Sequence, residues 1–444
     1  MYNVMDYGTV ADGITNTTAA FQKTIDKCSE NGGGVVFIPF GKYVLGSVHL
    51  HSNVHIVFES GATLLGSLDP DDFDDREKLN YPLYQDASHS FFHRSMFWAE
   101  DCENISFSGN GIIDMRDVWE KEPHQTINGE TITRAAKIIA IKNSKNIVIK
   151  ELNLYHATDL GVYLAGCENV RITQLQMDVR IDAISPDCCK NVTISDCNIK
   201  SGDDAIVLKS SYALNEKRLC ENITVTNCTI TSRYCAIKLG TETNGGFKNI
   251  AISNCSIYDT CGSGIALEIT DGGELDGVVV SNIVMNNVAT PLFIILSDRA
   301  RGPEGTQIGS VKNIIVDNII ANGPYHKVDA IRNNYQRSGE GMMEINPLAS
   351  SVTGQPYKKV ENITLSNFYI TVPGGGTKKE KNIVLPEITK IAPSNSYFGD
   401  RFPCYGIFFR HAKNVKLSNI NIMTIEDDER DVYFFEDVEN IIQN

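Results

Sequence analysis

Along most of the chain, apolar and polar residues alternate over short runs, break at a small or polar pair, and resume. One phrase organises the runs: Asn, aliphatic, any residue, aliphatic, a small or polar pair, then another apolar residue. It starts at Asn104 (NISFSG), Asn146 (NIVIKE), Asn169 (NVRITQ), Asn191 (NVTISD) and Asn222 (NITVTN). It returns at Asn249 (NIAISN), Asn313 (NIIVDN), Asn362 (NITLSN) and Asn414 (NVKLSN). From Asn146 to Asn249 the repeats are 23, 22, 31 and 27 residues long. Periods of this size indicate a solenoid, and period-two alternation within each unit makes its elements strands.

The register is nearly constant. The triplets Asp182-Ala183-Ile184, Asp204-Ala205-Ile206, Cys235-Ala236-Ile237 and Ser263-Gly264-Ile265 occupy equivalent places in successive units. Stacked strands put such positions ~4.8 Å apart. Ile184, Ile206, Ile237 and Ile265 then form one inward ladder, and Pro186, Leu208, Leu239 and Leu267 a second. Alternate residues point outward: one row reads Ser185, Val207, Lys238, Ala266, and the next Asp187, Lys209, Gly240, Glu268. Cys102, Cys167, Cys189 and Cys220 precede their asparagines by two, and Cys197, Cys228 and Cys255 follow theirs by six, so these read as small buried hydrophobes. The recurrent asparagines read as turn caps, bonding side chain to backbone.

The two ends of the repeat differ from its middle. Residues 15–29 carry apolar positions at helical spacing and stop before Gly32-Gly33-Gly34, which predicts an amphipathic helix over the open end of the coil. Residues 68–95 and 323–358 break the repeat and read as cleft loops on a single 1–444 domain.

Composition changes the picture mainly by exclusion. A net charge of −15 disfavours nucleic acid and anionic membrane surfaces as partners. No run of ~20 apolar residues could span a bilayer. The N-terminal Met1-Tyr2-Asn3-Val4-Met5-Asp6 lacks the features of a secretory signal, so the expected location is the cytoplasm.

The opening, DYGTVADGITNTTAAFQKTIDKCSENGGGVVFIPFGKYVLGSVHL, resembles the start of many pectin-degrading β-helix enzymes. Residues 185–210, SPDCCKNVTISDCNIKSGDDAIVLKS, resemble the core signature of glycoside hydrolase family 28, the polygalacturonases. The resemblance runs from about Asp6 to Glu439 and implies an all-β, right-handed parallel β-helix acting on an oligosaccharide, without cofactor or metal. Of four family motifs, Gly-Asp-Asp is intact as Gly202-Asp203-Asp204. Asn-Thr-Asp becomes Arg180-Ile181-Asp182, Gly-His-Gly becomes Tyr234-Cys235-Ala236, and Arg-Ile-Lys becomes Ala266-Leu267-Glu268. The resemblance implies that Asp203 is the general acid and that Asp182 and Asp204 activate water, with inversion.

The register independently stacks Asp182 on Asp204 beside Asp203. Three carboxylates so close cannot all ionise freely, and glycoside hydrolysis needs one protonated and one ionised carboxyl. Spacing alone leaves their roles and the stereochemistry open. With the family's cations lost, Lys238, Lys209, Arg233 and Glu268 are the expected substrate contacts, and Arg299, Arg301 and Arg410 are further exposed candidates. The alternative for Lys238 is a solvated lysine paired with Glu268 or Glu242. The long insertions suggest exo action on α-linked, pectin-type oligosaccharides. A polysaccharide lyase or uronate epimerase, and a non-catalytic carbohydrate-binding solenoid, fit the same scaffold.

Overall fold

The computed structural model describes residues 1–84, 92–119, 125–127, 130–132, 136–329, 342–390 and 394–444. Thirty strands join in one sheet that coils on itself, with successive turns paired in parallel. It is a right-handed parallel β-helix. Each central rung has three faces. One rung comprises Val162–Ala165, Glu168–Thr173 and Gln176–Val179, and the next Ile184–Asp187, Lys190–Ser195 and Asn198–Ser201.

The expected inward ladders are present. Val162, Ile184, Ile206, Ile237, Ile265 and Leu292 pair in register on the first face, each at most 2% exposed. The other faces contribute Val170, Val192, Ile223 and Ile250, and Met177, Ile199, Ile230 and Ile257. Fully burying one such side chain contributes ~1.5–3 kcal/mol, so each rung is stabilised chiefly by its neighbours. All twelve cysteines are free thiols, and the ladder cysteines other than Cys102 are buried.

The asparagines act differently from the expectation. Asn104, Asn146, Asn169, Asn191, Asn222 and Asn249 are left-handed, with φ between 55° and 58°. Each donates its amide to the side-chain oxygen of the preceding asparagine, beginning at Asn53, over 2.8–3.2 Å. The bonds run side chain to side chain on the solvent side of a bend that needs positive φ, a conformation asparagine tolerates best after glycine.

The predicted cap is the helix α1 (Thr18–Glu30), which buries Phe21, Thr24, Ile25 and Cys28. It starts three residues later than expected because Asp12 accepts the amides of Ile14 and Thr15, holding residues 12–16 extended. The second insertion ends earlier than expected: Ser350–Thr353 has rejoined the coil, paired with residues 293–295 and 407–410. Parts of both expected insertions, 85–91 and 330–341, lie outside the described residues. An unforeseen excursion, 373–403, carries a short helix at Lys378–Lys381 and a 3-10 turn at Asn395–Phe398.

Candidate active site

The aspartates stand on the bend that leads into the first face. Asp182 precedes Ile184–Asp187 and Asp204 precedes Ile206–Leu208, equivalent places on successive rungs. The Asp204 amide donates to Asp182 Oδ1 at 3.2 Å, and the Cys235 amide to Asp204 Oδ1 at 3.1 Å. The hydroxyls of Ser201 and Ser232, stacked in register, both donate to the Asp203 carbonyl and fix the turn. One carboxylate oxygen from each of the three aspartates lies within 4.8 Å of the others. Asp182 and Asp204 are 3% and 4% exposed, and Asp203 is half-buried.

Two buried lysines run behind this cluster. Lys238 Nζ donates to Asp204 Oδ2 at 2.9 Å and lies 4.0 Å from Glu268. Lys209 Nζ lies 3.1 Å from Glu242 and 3.5 Å from Asp182. Burial pushes the Asp182 carboxyl up to about 6; Lys209 opposes this and Asp204 adds to it. Burial pushes Glu268 up to about 8 despite Lys238. Burial pulls the Lys209 ammonium down, but Glu242 and Asp182 outweigh it, so the net shift is upward.

The outward row expected to meet solvent is covered. Ser185, Val207 and Ala266 are fully buried, and Lys238 is 8% exposed. Lys238, Lys209 and Glu268 therefore face one another and the aspartates rather than open solvent. Lys238 is not the solvated lysine of the alternative reading: it lies inside the protein, bonded to Asp204 and 4.0 Å from Glu268. On the upstream side, Phe92, Leu160 and Ile181 pack around Tyr163, the neighbour of Ser185. Downstream, Leu348, Leu385, Phe398 and Phe402 pack over Cys235, Ala266, Phe293 and Phe408. Tyr163 in the upstream cover and Phe293 in the downstream one stand five strand spacings apart, ~24 Å. The accessible part of the site is the bend itself, with Asp203, half-buried Arg233 and Tyr234, which is 43% exposed. Partial burial pushes the Tyr234 phenol up, Asp203 adds to this, and Arg233 opposes it.

The remaining candidates are placed elsewhere. Arg299 grips Asp271 through two nitrogens, at 2.7 and 2.6 Å. Arg301 reaches Glu242 at 3.3 Å and Asp271 at 3.4 Å, extending the ion network behind Lys209. Arg410, expected at the surface, is 2% exposed; it donates to the carbonyls of Leu385 and Pro386 and so anchors the downstream cover. Cys235 is a packing residue, with its thiol pushed up by burial. Two histidines near the coil are also engaged: His93 lies tilted against Trp98 at 4.1 Å between ring centres, and His156 bonds Asp114 at 2.8 Å, two rungs before the Asp203 bend. The register could have pointed to Glu242, one rung beyond Lys209. No local signal marks Phe398 or Phe402.

A parallel β-helix with three aspartates clustered on one bend defines a polygalacturonase-like protein. The sequence profile "Glycosyl hydrolases family 28" matches residues 28–368. The chain belongs to that family. It is 27% identical over 305 residues to a probable polygalacturonase of Vitis vinifera, covering 64% of this chain and 61% of that one. The chain thus spans less than two thirds of the length of the first curated relatives it matches. Among solved structures, it resembles a family 28 exopolygalacturonase of Yersinia enterocolitica, with a TM-score of 0.73, 18% identity, and 99% and 77% of the chains covered. A hyperthermoactive exopolygalacturonase of Thermotoga maritima gives a TM-score of 0.70 at 18% identity, with 95% and 91% covered. At these identities the likeness is one of fold.

Proposed function

We infer that the chain is a glycosidase that removes terminal sugars from α-linked, pectin-type or related oligosaccharides, with inversion. The observation that carries this reading is the clustering of three carboxylates in unlike surroundings between two hydrophobic covers. Asp204 receives an ammonium directly, Asp182 is pushed up to about 6, and Asp203 stands at the accessible bend. Unlike environments are how one site holds an acid and a base at the same pH. Asp203 gives its proton to the bridging oxygen as the bond from that oxygen to the anomeric carbon breaks. Water adds to the anomeric carbon from the other side and loses a proton to Asp204, with Asp182 alongside. One substrate and one water give a freed sugar and a shortened chain.

The covers support exo action, because a polymer running along the first face in either direction would meet the excursions packed around Tyr163 or over Phe293 and Phe408. The sugar at the cleaved bond is neutral, or a uronate held in an orientation other than the family's. The positions of the family's Arg and Lys are filled here by Ala266 and Glu268, both fully buried. Losing two charge-assisted bonds would cost ~3–6 kcal/mol on polygalacturonan.

The test is a panel of pectic, rhamnose-containing and neutral oligosaccharides, with products followed by mass and anomeric configuration. Early release of monosaccharide with inverted configuration is expected. A random mixture of intermediate lengths would reject exo action, and a rise in absorbance at about 235 nm, the mark of the double bond left by elimination, would reject hydrolysis.

A further inference from the structure

The two lysines behind the aspartates each lie between two carboxylates, in neighbouring outward rows of the first face. Asp182, Lys209 and Glu242 come from three consecutive rungs, and so do Asp204, Lys238 and Glu268. The two differ in where the ammonium rests. Lys238 is 2.9 Å from Asp204 and 4.0 Å from Glu268. Lys209 is 3.5 Å from Asp182 and 3.1 Å from Glu242. Neither oxygen of Glu268 has a hydrogen-bond partner, and the residue is fully buried. Glu242 is 1% exposed and also pairs with Arg301.

We propose that Lys209 and Lys238 are positioning residues with unequal attachments: Lys238 holds Asp204 oriented as the base, whereas Lys209, drawn to Glu242, holds Asp182 less firmly, so that Asp182 sets the acid limb of the pH profile. The role of Asp204 here rests on the hydrolase reading above; the unequal attachments do not. The charged groups facing Asp182 are Lys209, Asp204, Lys238, Glu242 and the neighbouring Asp203. Those facing Asp204 are Lys238, Lys209, Asp182, Asp203 and Glu268, with the Tyr234 phenol and the Cys235 thiol; of the two ammonium groups only Lys238 donates to it directly. A fully buried carboxyl whose oxygens make no hydrogen bond is pushed toward its neutral form, which leaves Lys238 to Asp204 alone. Glu242, held by Arg301 as well, stays a competitor for Lys209. The rise of Asp182 to about 6 agrees with that competition.

The unequal attachments predict unequal responses to two like substitutions. Glu242→Gln frees Lys209 for Asp182 and moves the acid limb of the kcat/KM profile to lower pH, by roughly one unit. Glu268→Gln moves it clearly less. Lys209→Met moves it to higher pH. Lys238→Met lowers kcat by ~10²-fold or more with KM little changed, and Lys238→Arg restores part of the loss. The same substitutions are read without substrate by following the Asp182 carboxyl carbon of the full chain labelled with 13C-aspartate, assigned against Asp182→Asn. If Lys238→Met does not fold, the double variant K238M/E268Q removes the pair together and takes its place. An Asp182 titration that stays put or moves upward in Glu242→Gln would overturn the proposal. Shifts as expected without turnover on any substrate would sustain the unequal attachments and sink the hydrolase reading.

Discussion

Two outward columns of the same coil have opposite fates. On the second face, Arg171, Thr193, Thr224, Ala251, Val279 and Ile315 stack in register and all face solvent, Val279 at 43% and Ile315 at 44% exposure. On the first face, Tyr163, Ser185, Val207, Lys238, Ala266 and Phe293 follow the same alternation and are buried. Residue polarity does not sort them, since the exposed column carries valine and isoleucine and the buried one a lysine. What differs is that described excursions pack on the first face, around Tyr163 and over Ala266 and Phe293. The candidate site is the part of a repeating surface that has been taken out of water, where the contact between Lys238 and Asp204 lies at low dielectric.

The sharpest contrast between the columns is catalytic. Asp203→Asn should lower turnover by ~10²–10⁴-fold with the fold preserved, whereas Thr224→Asn on the second face should leave it unchanged. Steady-state kinetics on any confirmed substrate checks both, and an active Asp203 variant would sink the mechanism. Next comes the cover. Phe402→Ala should destabilise the chain by ~3–5 kcal/mol, as for other buried phenylalanines. Ile315→Ala, in the exposed column, should cost within ~0.5 kcal/mol. Denaturant melts of the two variants decide whether the excursion is part of the core.

A third contrast depends on pH. The folded chain holds a proton on Glu268 up to about pH 8, whereas the unfolded chain releases it near 4.5. A carboxyl raised in this way makes stability fall as pH rises between those values and leaves it level beyond them. Glu268→Gln should therefore gain on the parent from pH 5 to pH 8, by on the order of 1–4 kcal/mol. A difference that does not change with pH would show that Glu268 ionises freely. The smallest effect belongs to the exposed bend. Asn222→Ala loses a ladder bond and strains a left-handed residue, at a cost of about 1–2 kcal/mol. Asn222→Gly, which removes the strain, should recover part of it.

Much of this was legible in the chain. Ile184, Ile206, Ile237 and Ile265 announced their ladder because strand periodicity and a constant repeat length require only local counting. The same register stacked Asp182 on Asp204. The burial of Ala266 was not legible, because it packs in one cluster with Phe398 and Phe402, more than 130 residues away in sequence. Nor was the asparagine ladder's bonding, because the choice between a backbone and a side-chain acceptor depends on the bend angle.

By itself, then, the sequence determined the β-solenoid, its inward ladders, the cap at α1 and the juxtaposition of the aspartates. Each follows from residue spacing repeated along one axis. Only the tertiary structure decided which outward face is buried, which carboxylate each buried lysine lies nearer, and where the excursions pack on the coil. Those depend on excursions that return to the coil from distant positions, and on differences of about an ångström in where a buried ammonium rests between two carboxylates. In a low-dielectric interior such differences set protonation, and no periodicity encodes them.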